Sequence, residues 1–146
     1  MIPKIIHYCW FGGKEKPESV LAMIRSWKEH LPEYEIREWN ESNFDVKGFS
    51  AFTREAYATR NYAHVSDVAR LKALYDCGGI YLDTDVEVVG SFDPFLGCRS
   101  FCSAEHRFIG TSAIGAEKGS EWLHVFLNHY KSAHFITLWG GAKQNS

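Results

Sequence analysis

GGIYLDTDVEVV, running from Gly78 to Val89, sets three acids at every second position: Asp83, Asp85 and Glu87. Successive side chains of an extended segment point to opposite sides. The alternation therefore puts three carboxylates on one side and Leu82, Thr84, Val86 and Val88 on the other. Like charges at that spacing repel, and burial raises the cost. Something must neutralise them, and the candidates are water, an arginine or a metal ion.

Upstream lies NYAHVSDVARLKALYDC, residues 61–77, which predicts a strong helix. Val65, Val68, Leu71 and Tyr75 recur at helical spacing, and Ala69 and Ala73 widen the apolar face. Asp67 and Arg70 lie three apart and share another face. The plain reading is an ion pair that braces the helix. The Gly78-Gly79 stop returns the chain at once to Asp83, so the same charged face can also border the acids.

The remaining pattern alternates strands with helices. Ile2 to Trp10 reads as a strand that stops at Gly12-Gly13. Val20, Ile24, Trp27 and Leu31 predict a helix closed by Pro32, and Tyr34 to Trp39 reads as a second strand. Residues 50–60 predict a weaker helix. Short strands are expected at Ile80–Leu82 and Val86–Val89, on either side of the acidic turn, and further strands at Phe101–Ala104 and Thr111–Ala116. Leu123, Phe126, Leu127 and Tyr130 mark a last amphipathic helix. This order predicts an α/β sandwich on a largely parallel sheet. Such sheets bind ligands at the carboxyl ends of their strands, where Trp10 and Asp83 fall.

Bulk properties narrow the function. The chain has 146 residues, 15% of them aromatic, which suits one domain with a sizeable core. A formal net charge of −2 argues against a nucleic-acid partner. No apolar run is long enough to span a bilayer, and the opening MIPKIIHYCWFGG lacks the pattern of a signal peptide. Cys9, Cys77, Cys98 and Cys102 form no CxxC pair and read as buried free thiols in a reducing compartment. The expected location is the cytoplasm, with attachment at the inner face of a membrane as an extension of it.

Three motifs occur in order: IHYCWFGG, SDVAR and GGIYLDTDVEVV. Together they resemble the sugar-binding domain of the DXD glycosyltransferases, which have the GT-A, Rossmann-like fold. The similarity extends to bacterial capsular-polysaccharide transferases, fungal mannosyltransferases and the clostridial glucosylating toxins. It covers Ile2 to about Phe135, so residues 1–135 are expected to be the nucleotide-sugar domain and 136–146 a tail. The resemblance implies that Asp83 and Asp85 hold Mn2+ or Mg2+ on the donor diphosphate. It implies that Trp10 stacks on the nucleotide base and that Asp67 and Arg70 contact donor hydroxyls and diphosphate. Ser66 and Tyr81 adjoin them. Arg70, Asp83 and Asp85 are thus the expected catalytic residues. The implied donor is a UDP- or GDP-sugar, and the implied acceptor a glycan or lipid-linked glycan, as in bacterial surface polysaccharide synthesis.

The chemistry of the residues agrees. Carboxylate oxygens suit hard divalent cations. A nucleoside diphosphate leaves readily only when its growing charge is neutralised, by a metal or a forked guanidinium. Relatives with these motifs retain the anomeric configuration. No nucleophilic carboxylate stands out, so front-side attack is expected. They also continue further than this chain, so the domain is expected to hold the donor half of the site and to lack the usual C-terminal part. Two alternatives remain: a metal-dependent phosphoesterase, which needs further His or Asp ligands, and a non-catalytic nucleotide-sugar or glycan-binding module. A homo-oligomer is left open.

Other residues have plainer readings. Trp10 alone would be a core aromatic at a strand end. His7 suits a hydrogen-bonded core position. Glu87 either faces solvent or backs the metal ligands. Glu105, His106 and Arg107 form a polar knot, either a surface turn or a reach toward sugar. His124, His129 and His134 do not share a helix face.

Overall fold

The protein is described by a computed structural model that covers residues 1–105 and 107–136, with the backbone alone at Phe108. In chain order the elements are β1 (Ile5–Cys9), α1 (Glu18–His30), β2 (Glu35–Trp39), α2 (Val46–Phe49), α3 (Ala51–Ala58), α4 (Tyr62–Cys77), β3 (Gly79–Leu82), β4 (Ser100–Glu105), β5 (Phe108–Ala116) and α5 (Glu121–Ser132). The helix expected at residues 50–60 is α3, and a further short helix that was not expected, α2, precedes it. The Asp45 side chain caps α2 by accepting from Gly48 N–H, and Ser50 caps α3 by accepting from Thr53 N–H. Among the described residues no helix is long and apolar enough to cross a membrane.

The five strands form one sheet in the order β2-β1-β3-β5-β4. Period-two alternation in the two central strands splits the core. Ile6, Tyr8, Ile80 and Leu82 face α1, where they meet Val20, Ile24, Trp27 and Leu31. Cys9 and Tyr81 face the opposite way, into a cluster with Val65, Val68, Ala69, Leu71, Leu123 and Leu127 of α4 and α5. Helices thus cover both faces of the sheet.

The expectation of a largely parallel sheet needs correction. β1 pairs in parallel with β2 and β3, but β5 runs antiparallel to both β3 and β4. A parallel pair needs a crossover of about a dozen residues or more. No such crossover separates the strands expected at Phe101–Ala104 and Thr111–Ala116, so they close as a hairpin.

The strand expected at Val86–Val89 does not form. β3 is already paired on both edges, so the chain leaving it has no edge to join. Side chains of α1 take over the missing ladder. Trp27 Nε1–H donates to the Val86 carbonyl at 2.7 Å, and Val88 N–H donates to Ser26 Oγ at 3.1 Å. Val88 is buried, Val86 is half-buried, and Asp85 and Glu87 are exposed. The alternation survives as a burial pattern without a strand.

Gly78 and Gly79 carry the sharp return from α4 into β3 at positive φ, +68° and +123°. A Cβ on Gly79 would lie 2.6 Å from the Ile5 carbonyl oxygen. Conformation and close approach both require glycine there. Cysteine burial is also uneven: Cys9 is buried and Cys77 half-buried, while Cys98 and Cys102 are exposed, and all four are free.

His7 is fully buried, as its apolar strand implied. Trp39 Nε1–H donates to its Nδ1 at 2.9 Å, and its Nε2 lies 2.8 Å from the Gly78 carbonyl. This pairing fixes the neutral ring with the proton on Nε2. Burial holds its pKa below the ordinary value of 6.5. The unfolded chain then binds a proton that the folded chain refuses. Stability is full above pH 6.5 and declines as pH falls below it, by up to about 1.4 kcal/mol per pH unit while only the unfolded form is protonated. Urea denaturation between pH 8 and 5 measures this, and a flat profile would show that His7 ionises in place.

Candidate functional site

The carboxyl ends of β1 and β3 open on an exposed cavity of about 560 Å³, within the usual range for ligand pockets. Its wall includes Trp10 after β1, Ser66, Asp67 and Arg70 from α4, Tyr81 from β3, and Asp83 and Asp85 after β3. Every site residue expected from the sequence lies on this one wall. Lys14, Tyr62, Cys9, Phe11 and Thr84 line it too and were not expected. Tyr62 opens α4 one turn before Ser66, and Lys14 follows the two glycines. Neither position carries a sequence signal of its own.

Arg70 organises the floor. Its Nη2 donates to Asp67 Oδ1, and its Nη1 donates to the Thr111 carbonyl at 3.0 Å and lies 3.9 Å from Asp83 Oδ1. The guanidinium stands 5.1 Å from the centre of the Tyr81 ring, in cation–π range. Both readings of the Asp67–Arg70 pair therefore hold: it braces the helix and it borders the acids. The contact with Thr111 depends on β5 lying beside β3 and had no signature in the sequence.

The acids are unequally placed. Asp83 is half-buried, and Asp85 and Glu87 face solvent. Burial is the first cause that holds the Asp83 carboxyl above its ordinary pKa. A hydrogen bond from the Tyr81 hydroxyl and the Arg70 charge pull it back, while Asp85 and Glu105 push it further up. Arginine and water thus answer part of the neutralisation question. Glu105 acts on Asp83 by its charge from the end of β4, Arg107 is exposed, and His106 lies outside the described residues. Beneath Tyr81, burial pushes the Cys9 thiol up to about 12, which leaves it neutral.

The Trp10 ring is half-buried and packs partly against the α1-side core. Its Nε1–H donates to the Lys14 carbonyl at 2.7 Å, and that bond fixes the ring plane. The turn between them is clamped: Gly12 N–H and the Tyr57 hydroxyl both donate to Glu41 Oε2, at 3.0 and 2.9 Å. A Cβ on Gly12 would meet the Tyr62 ring at 2.6 Å.

The donor set fits a divalent cation. Among the described residues no three His, Cys, Asp or Glu side chains gather as a closed metal centre. Asp83 and Asp85 instead present a pair of carboxylates at an open cavity. Mg2+ and its analogues are usually held by one or two carboxylates, with water and substrate phosphates supplying the rest.

The described helices and the mixed sheet match a solved structure titled PaToxG Glycosyltransferase. The TM-score is 0.70 over 87% of this chain and 59% of that one, at 21% identity. Among curated proteins, the chain is 34% identical over 126 residues to inositol phosphoceramide mannosyltransferase 3 of Schizosaccharomyces pombe, across 84% of its own length and 35% of the relative's. It is 33% identical over 112 residues to an uncharacterized glycosyltransferase of Acanthamoeba polyphaga mimivirus, across 71% of this chain and 43% of that one. The chain therefore spans less than half the length of these relatives. Residues 17–102 match the model of the glycosyltransferase sugar-binding region containing the DXD motif, and the chain belongs to that family.

Proposed function

We propose that the chain binds a nucleotide-sugar donor with a divalent cation and takes part in transfer of the sugar to a hydroxyl acceptor. The observation that carries this reading is the convergence of Trp10, Ser66, Asp67, Arg70, Tyr81, Asp83 and Asp85 on one cavity. Asp83 and Asp85 would hold the cation, which when bound supplies Lewis-acid neutralisation of the diphosphate. Trp10, with its plane fixed by Lys14, offers a face for the base. Arg70, anchored by Asp67 and Thr111, keeps its charge beside the place where the diphosphate departs. Tyr81 and the neutral Cys9 thiol close the floor against water.

In the transfer, the bond between the anomeric carbon and the diphosphate oxygen breaks, and its electron pair leaves with the nucleoside diphosphate. The acceptor oxygen forms the new bond, and its proton passes to the departing phosphate. The carboxylates lining the cavity are Asp67, bonded to Arg70, and the Asp83–Asp85 pair. None of these is placed as a nucleophile, which favours attack from the leaving-group face and retention of configuration.

Calorimetry with UDP- and GDP-sugars, with and without Mn2+, tests the reading. Metal-dependent binding of one nucleotide class is expected, and absence of binding by both would refute it. In the same assay Trp10→Ala should weaken donor binding by about tenfold to a hundredfold, since stacking of a base on an aromatic ring is worth ~1–3 kcal/mol. If Trp10 serves only the core, the melting temperature will fall while affinity holds.

A further inference from the structure

We propose that a second cavity, lined by the same Asp67–Arg70 pair, is the binding site for an uncharged polyhydroxylated ring, the acceptor of the transfer. This rests on the donor-site reading above. The cavity has a volume of about 340 Å³, and its wall shares Asp67 and Arg70 with the first cavity. A ring held there borders residues that also line the proposed donor site.

The opposite wall is aromatic: Trp122, Phe126 and Tyr130 of α5. These positions fall four apart, so they form one stripe on the helix. A stripe at that spacing usually packs into a core, and the half-buried Trp122 and Tyr130 do lean on the core beside Leu123 and Leu127, but Phe126 stands out of it and the stripe keeps a face on the cavity. Leu123 and Leu127 are 0% and 4% exposed, whereas Phe126 is 52% exposed. The Trp122 and Phe126 rings meet at 83° with centroids 6.1 Å apart, edge to face, and make a corner.

The two walls suit different parts of one ligand. The C–H faces of a saturated ring can lie against flat aromatic surfaces, and its hydroxyls can pair with the carboxylate and guanidinium opposite. Asp67 and Arg70 are ion-paired, so this wall offers a hydrogen-bond acceptor and a donor side by side, which suits hydroxyls. Among the described residues, the buried indole N–H of Trp122 has no hydrogen-bond partner, and it provides a distinct reporter.

The test is an amide and indole NMR titration with methyl α-mannoside, methyl β-glucoside and myo-inositol, each run beside GDP or UDP with Mn2+. The expected result is a millimolar shift of the Trp122 indole and the α5 amides, and a nucleotide shift centred on Trp10. Phe126→Ala should weaken ring binding at least tenfold, whereas Val125→Ala, on the same helix but outside the cavity, should not. Ring binding at α5 without nucleotide binding would sink the donor reading and leave a glycan site. Nucleotide binding with no α5 response to any of the three rings would overturn this proposal. So would a response at α5 to octanol alone, which would mark an apolar tail site.

Discussion

Asp83→Ala will lose Mn2+-dependent donor binding by more than about a hundredfold, because loss of outer-shell partners alone costs 10–100-fold in metal affinity. The protein should nonetheless fold, with its melting temperature little changed, because removing a disfavoured charge offsets the loss of the Tyr81 hydroxyl's acceptor. Asp83 is half-buried, and burial together with the Asp85 and Glu105 charges holds its carboxyl above the ordinary pKa. At neutral pH the native state therefore carries an ionised group that its surroundings disfavour, and alanine removes it. Arg70 keeps Asp67 and the Thr111 carbonyl as partners, so no buried cation is stranded. Calorimetry with Mn2+ and donor, paired with a thermal melt, reads both quantities. Unchanged metal dependence would refute the assignment, and a large fall in melting temperature would recast Asp83 as structural.

Trp27→Ala has the largest expected effect on stability. The side chain is fully buried between α1 and the sheet, meets the Tyr8 ring edge-on at 5.6 Å, and donates to the Val86 carbonyl. Removing a buried aromatic of this size costs about 3–5 kcal/mol, a large share of a domain stability of about 5–15 kcal/mol. Trp27→Phe separates packing from positioning. It keeps most of the volume but leaves the Val86 carbonyl unpaired, at about 1–3 kcal/mol. Because Val86 follows Asp85 directly, the same variant should also weaken Mn2+ binding in a protein that remains folded. Urea midpoints give the first effect and calorimetry the second. A loss below about 1 kcal/mol for Trp27→Ala would contradict the packing account.

The local pattern of the chain was enough for α1, α3, α4 and α5 and for a set of residues that share one cavity wall, but not for the short α2. Val65, Val68 and Leu71 marked the inner face of α4, and Gly78-Gly79 marked its end. SDVAR and the Asp83–Asp85 turn named residues that do line one cavity. Periodicity reports which side of an element is buried, and that can be read within a few turns of chain. It does not report which neighbour covers that side. The antiparallel hairpin, the contact of Arg70 with Thr111 and the second aromatic stripe of α5 all depend on partners distant in sequence. Val86–Val89 shows the difference most directly. Its alternation is that of a strand, but pairing needs a free edge, and β1 and β5 already occupy both edges of β3. The segment keeps Val88 buried and Val86 half-buried and takes its hydrogen bonds from Ser26 and Trp27, because a backbone leaving a filled sheet must satisfy its polar groups elsewhere.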